Sequence, residues 1–184
     1  MLSNACRARL LEIARLSIYQ YVKYRKKPRL EVKEPELLEL GAAFVTLTHK
    51  GQLRGCIGYT EAFKPLYQTI LDCAISAATG DPRFLPVTPD ELLEIDIEIS
   101  VLSPLKKVDD IEEIQVGHHG LMIEKGFRKG LLLPQVATEY GWDREAFLEH
   151  TCLKAGLPPD AWRKGAKIYL FSAEIFGERK HGSP

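Results

Sequence analysis

Apolar residues recur along this chain with two periods, one helical and one extended. Over residues 3–27 Leu11, Ala14, Ile18 and Val22 fall on one helical stripe, with Ser3 placed to cap it and Pro28 to stop it. A second stripe of Leu66, Ile70, Ala74 and Ala77 predicts a helix over 65–79 that Gly80 ends. Strict alternation over 95–101 sets Ile95, Ile97, Ile99 and Val101 on one face and Asp96, Glu98 and Ser100 on the other, a half-buried strand. The run 167–176 is a last strand, setting Ile168, Leu170, Ser172 and Glu174 against Tyr169, Phe171, Ala173 and Ile175.

Shorter signals fill the intervals. An apolar run over 42–48, a turn over 49–52 and the stretch 53–58 read as a hairpin. Residues 120–124 and 130–133 read as a second one around a turn at 126–129. Residues 36–40 make a short helix ended by Gly41. Thr88-Pro89-Asp90-Glu91 combines a capping box with proline at the first helical position. A helical turn is expected over 109–114, and Gln135 opens a short helix after Pro134. Asp143 caps a helix through Ala155, with Cys152 and Lys154 on it and Phe147, Trp142 and Trp162 assigned to the core. Hairpins mixed with helices, rather than a regular strand-helix alternation, indicate an α+β fold: a mainly antiparallel sheet built from hairpins and flanked by helices. With no internal repeat and no long linker, the 184 residues are expected to form a single domain.

Composition narrows the function classes. Twenty-five basic and 25 acidic side chains give no net charge, so nothing favours nucleic acid or an anionic membrane. No apolar run approaches the roughly 20 residues of a membrane span, and charges interrupt the N-terminal stretch where a signal peptide would lie. Four scattered cysteines without a C-x-x-C pair fit a reducing, cytoplasmic setting rather than a disulfide or zinc framework. His49, His118 and His119 lack ligand spacing with Cys56, so no metal site is expected.

The chemistry concentrates in Leu53-Arg54-Gly55-Cys56-Ile57-Gly58. Glycine weakens a strand, so Gly55 and Gly58 imply a bulge, a bend or the close approach of a backbone or ligand. Between them Cys56 is either a packed thiol or a reactive one, nucleophile or radical site. Arg54, two residues earlier, is expected on the same face. Arg83, in the proline loop Asp81-Pro82-Arg83-Phe84, is a candidate for a carboxylate or phosphate, or for pairing with Asp81. Glu98 is a candidate general base if its strand face lines a site, and Gln135 a candidate amide contact.

The stretches at 41–58 (GAAFVTLTHKGQLRGCIG), 81–84 (DPRF), 98–102 (EISVL), 131–136 (LLLPQV) and 152–157 (CLKAGL) resemble, in this order, the AMMECR domain family. Its prokaryotic members are called AmmeMemoRadiSam system protein A. The resemblance covers nearly the whole chain. It implies an α+β domain in two lobes, with a cleft bordered by the signature hairpin. It also implies association with a Memo-type protein and a radical S-adenosylmethionine protein, and names neither a reaction nor a cofactor. Two functions stay open. One is a component of a modification system with Cys56, Arg54 and Arg83 at its site; the other is a non-catalytic module docking through the LRGCIG hairpin.

Overall fold

The computed structural model describes residues 1–178. Its chain divides into two compact units, the first taking Met1–Val101 with the returning chain from Glu174, the second Leu102–Ala173.

In the first unit, Ser3 Oγ accepts the Cys6 N–H at 3.2 Å and caps helix α1 (Asn4–Tyr24). Leu10, Ile13, Ala14, Ile18 and Val22 are buried, and Leu11 is half-buried at the margin, so the buried stripe centres one position before Leu11. Arg25, at φ 56°, donates its N–H to the Tyr21 carbonyl at 3.0 Å and closes the helix three residues before the proline expected to stop it. Helix α2 (Pro35–Leu38) ends earlier than predicted, because Leu40 bridges to Pro65 and the Leu66 N–H donates to the Glu39 carbonyl. Strands β1 (Ala42–His49) and β2 (Gln52–Tyr59) form the first hairpin. Lys50 and Gly51 both have positive φ at its turn, the primed geometry whose twist matches the flanking strands.

Helix α3 (Leu66–Thr79) follows, then a 3-10 turn over Pro89–Leu93 with the expected capping box. Strand β3 (Ile95–Leu102) lies beside β1, and the end of β7 (Lys167–Gly177) lies beside β3. One face of β1 and β3 (Ala43, Val45, Leu47, Ile95, Ile97, Ile99) packs with the α1 stripe and with Leu66, Ile70, Ala74 and Ala77 of α3 as one core. Each fully buried aliphatic side chain there stabilises by about 1.5–3 kcal/mol. The predicted alternation of β3 holds to Ile99 and then lapses: Ser100 is buried and Val101 half-buried, where the chain leaves this unit.

The second unit is built from β4 (Lys106–Val108), β5 (His119–Lys125), β6 (Arg128–Leu132) and the start of β7. β5 pairs antiparallel with both β6 and β7, and β4 pairs antiparallel with β7. Helices α4 (Pro134–Glu139) and α5 (Arg144–Lys154) complete it, the latter capped by Asp143, whose Oδ1 accepts the Ala146 N–H at 2.8 Å. The expected turn over 109–114 is a 3-10 turn at Ile111–Glu113. Phe147, Leu148 and Cys152 form the core with Leu121, Ile123, Ile168 and Leu170. Trp142 and Trp162 stand at its margin, half-buried. Trp142 is stacked between Tyr140 and His150, with ring centroids 4.9 and 3.8 Å away. Both units are antiparallel sheet flanked by helices, an α+β fold. No helix among the described residues is long and apolar enough to cross a membrane.

Candidate functional site

β2 is the last strand in the order β2-β1-β3, and LRGCIG lies on it. Its register against β1 places Cys56 opposite Thr46 and Gly58 opposite Phe44, then slips between Leu47 and Thr48. Leu47 faces Gly55 and Thr48 faces Leu53, so Arg54 is the extra residue of a bulge. A bulge re-aims the side chain it carries. Arg54 Nε donates to Glu91 Oε1 at 2.7 Å, Nη2 to Oε2 at 3.0 Å, and Nη1 to the Leu85 carbonyl at 2.8 Å. Glu91 Oε2 also accepts the Thr88 N–H at 2.8 Å and its hydroxyl at 3.1 Å. The Arg54 fork, helped by these cap bonds and opposed by burial, holds the Glu91 carboxyl down at about 2. The Arg54 guanidinium thus ties the hairpin to the 3-10 turn.

The glycines have local causes as well. A Cβ on Gly55 would stand 2.1 Å from the Ala77 carbonyl oxygen of α3. One on Gly58 would stand 2.3 Å from the Phe44 ring and 2.6 Å from the Ala43 carbonyl oxygen. The close approaches seen at these two positions are those of α3 and of Phe44 with its strand.

Cys56 itself is half-buried, and the Thr46 hydroxyl donates to its Sγ at 3.3 Å. Its N–H donates to Asp81 Oδ2 at 2.9 Å, and its carbonyl accepts from Arg83 Nη2 at 3.4 Å. Two side chains of the Asp81–Arg83 loop therefore occupy the place that a further strand would take at this residue. Asp81 is buried and also accepts from Arg83 three times: backbone N–H at 3.1 Å, Nε at 3.0 Å and Nη2 at 2.7 Å. The Arg83 fork, with the Cys56 and Arg83 backbone N–H groups, holds the Asp81 carboxyl well below the usual carboxylate range despite burial. The pair is one-sided: the Asp81 side chain is 2% exposed and that of Arg83 54%. Arg83 therefore sits at the surface on a buried carboxylate, next to the cysteine's main chain, its guanidinium also 5.5 Å from the Phe84 ring.

The other three cysteines are different. Cys6, Cys73 and Cys152 are buried. Burial pushes the Cys73 thiol up to about 12 and raises that of Cys152 as well.

Glu98 is half-buried on the side of β3 opposite Ile97 and Ile99. Gln135 belongs to the second unit, half-buried in the first turn of α4, with its Oε1 buried and unpartnered. His49 Nε2 lies 2.7 Å from Glu94 Oε2, and His119 Nδ1 accepts the Gln115 N–H at 3.1 Å. Among the described residues no three His, Cys, Asp or Glu side chains converge as metal ligands.

The structure thus joins Cys56 and Arg83 through Asp81, and turns Arg54 toward Glu91. Three participants were not singled out from the sequence: Thr46, Asp81 as the holder of Cys56, and Glu91 as the partner of Arg54. The capping box marked Glu91 as a local cap only. The D-P-R spacing was the available sign for Asp81, since a carboxylate two residues before an arginine in a turn can bind it and a neighbouring N–H together.

Comparison with known proteins places this arrangement in a family. The AMMECR1 family model matches residues 11–176. A protein of Methanothermobacter thermautotrophicus is 49% identical over 178 residues, covering 92% of each chain. One of Methanopyrus kandleri is 48% identical over 187 residues, covering 95% of this chain and 89% of that one. The crystal structure of the uncharacterized protein PH0010 from Pyrococcus horikoshii is similar with a TM-score of 0.88 at 42% identity. That match covers 96% of this chain and 93% of the other.

Proposed function

This chain belongs to the AMMECR1 family, and we propose that it is the thiol-bearing component of a cytoplasmic modification system. Its partners in this reading are a Memo-type protein and a radical S-adenosylmethionine protein, as the LRGCIG resemblance implies. One observation supports the thiol role above all. Cys56 has its main chain held at both its N–H and its carbonyl, by Asp81 and by Arg83, while the residue stays half-buried with the Thr46 hydroxyl donating to its sulfur. Such fixing adds nothing to a core that the other three cysteines fill. It suits a group that must meet a reacting atom in one orientation. Arg83 is the candidate contact for a negatively charged group there, and Glu98 remains a candidate base on the same sheet. Gly55 and Gly58 serve by keeping the strand close under α3 and Phe44, and Arg54 by anchoring the bulge. Gln135 is a proposed contact of the second unit, its buried oxygen suiting an N–H donor.

The test is limited alkylation of the folded protein with iodoacetamide at pH 8, with the labelled peptides mapped by mass spectrometry. A thiol at about 12 is ionised to only about one part in 10⁴ at that pH, so Cys73 should be silent. Cys56 should label first, and Cys56→Ser should keep the fold while abolishing the activity of the reconstituted three-protein system. Labelling of Cys6 before Cys56 would overturn this reading.

A second reading has its own support. Leu53 is exposed on the hairpin, and Leu85 and Leu93, in the segments that Arg54 ties to it, are 84% and 98% exposed. If the hairpin only docks, Leu53→Asp with Leu85→Asp should lose the Memo-type partner, while Cys56→Ser retains both binding and activity.

A further inference from the structure

The run Arg25-Lys26-Lys27-Pro28-Arg29 begins as a helix end and continues past it. Cations stabilise a helix dipole only within its last turn, a place already held by Lys23 of α1. Lys26, Lys27 and Arg29 lie beyond that reach, exposed, in a chain with no net charge. Helix chemistry leaves this cluster unexplained.

Beside it lies a cavity of about 350 Å³, within the first unit, between this connector and the start of α3. Its apolar floor is Pro28, Leu30 and Leu71; its polar rim is Lys27, Tyr67, Gln68 and Asp72. Asp72 is the one carboxylate of the lining, and both its oxygens are taken, by Lys27 Nζ and Lys64 Nζ at 2.7 Å each. The rim also offers donors, beside the Gln68 amide oxygen. Lys27 uses one of its three N–H bonds on Asp72. The Tyr67 hydroxyl accepts from Gln68 Nε2 at 2.9 Å, leaving its own O–H to donate. Tyr67 and Gln68 also stand in the first turn of α3, which has no acidic residue and no side-chain cap, so the positive end of that helix adds to the field.

A concave site with an apolar floor, a free Tyr67 O–H, two lysines on its one carboxylate and the exposed Lys26 and Arg29 beside it favours an anion joined to an apolar or planar body. We propose that this cavity binds a small phosphate-bearing molecule, its phosphate on Lys27 and the Tyr67 hydroxyl and its body on Pro28, Leu30 and Leu71. The site is separate from Cys56 in residues and in logic, and stands or falls independently of the thiol reading.

The experiment is a nitrogen-15 NMR titration of the full chain with AMP, inorganic pyrophosphate and adenosine in parallel, at constant ionic strength. AMP should shift the amides of Lys27, Leu30, Tyr67, Gln68 and Leu71 saturably by about 10 mM, which a Kd of roughly 1 mM requires. Pyrophosphate should bind more weakly, lacking a body for the floor, and adenosine should leave the amides in place. Lys27→Gln should weaken AMP by about tenfold, the scale of one lost bond to a charged group. Gln68→Ala, at an exposed position, should weaken it several-fold. Neither should change the melting temperature or the alkylation rate of Cys56. An AMP response that is absent, not saturable, or unchanged by Lys27→Gln overturns the proposal. So does a stronger response to a single-stranded oligonucleotide spread over residues 23–29, which would make the surface a polyanion-binding strip.

Discussion

Replacing Glu91 by glutamine separates the charge of the Arg54–Glu91 pair from its shape. Glutamine keeps a side-chain acceptor for the Thr88 N–H, since the capping box accepts Glu or Gln at that place. What it removes is the carboxylate that takes both arms of the Arg54 fork at 2.7 and 3.0 Å. The Glu91 carboxyl sits at about 2 in the fold against an ordinary value of 4.5. At 1.36 kcal/mol per unit that gap is worth about 3 kcal/mol. Part of Glu91 faces solvent, and screening there brings the expected loss for Glu91→Gln to about 2 kcal/mol at pH 7. The sign of the pH dependence is fixed by the same gap. The unfolded carboxyl takes its proton near 4.5 and the folded one only near 2, so the stabilisation is complete above 4.5 and disappears as pH falls to 2. Other carboxylates titrate in this window too, but they are common to both proteins and cancel in the difference.

Urea unfolding at pH 7 and pH 3 reads that difference. Both tryptophans, Trp142 and Trp162, are in the second unit, so fluorescence follows that unit. Far-UV circular dichroism is weighted to the first, through the 21 residues of α1 and the 14 of α3. The circular dichroism midpoint should fall in the variant at pH 7 with the slope unchanged, and the gap should shrink to roughly half at pH 3. Equal midpoints at pH 7 would refute the pair as a source of stability. A gap that persists undiminished at pH 3 would show that shape, and not charge, is what Glu91 supplies.

Two further outcomes test the frame of the site. Gly55→Ala forces a Cβ to within 2.1 Å of the Ala77 carbonyl oxygen, a backbone atom that cannot swing aside, so the hairpin must lift from α3. A loss of about 1–3 kcal/mol or more in thermal unfolding is expected, with faster alkylation of Cys56; unchanged stability would contradict the packing described. Ile99→Asp buries an unpaired charge in the first core and should unfold that unit, so a melting temperature equal to that of the parent would mean Ile99 is not where the structure puts it.

Much of the fold follows from short stretches read alone. Ser3, Thr88 and Asp143 cap the elements they were expected to cap, because a cap is a contact between residues three apart. Ile95, Ile97 and Ile99 are buried as their alternation demands, and His49 to Gly51 turn the first hairpin. Where the reading slipped, distant residues intervened. Helix α2 stops early because Leu40 pairs with Pro65. Lys106-Lys107-Val108 gives no alternation to see and becomes a strand only because β7 offers it a partner. Trp142 packs against the core from its margin rather than within it, in a stack that depends on His150, eight residues away.

The candidate site divides along the same line. Composition, the glycine-flanked thiol and the proline loop were enough to single out Cys56, Arg54 and Arg83. They could not say that a one-residue slip opposite Leu47 and Thr48 would turn Arg54 to Glu91, 37 residues on, or that Asp81 would reach back 25 residues to the Cys56 N–H. The sequence by itself determined the longer helices and strands, their apolar faces and the turns between them, since these rest on periodicity and contacts a few residues apart. Only the tertiary structure decided which cation holds the cysteine and which holds the hairpin. Strand register and long-range ion pairs depend on how whole elements meet, and no local pattern of residues records that.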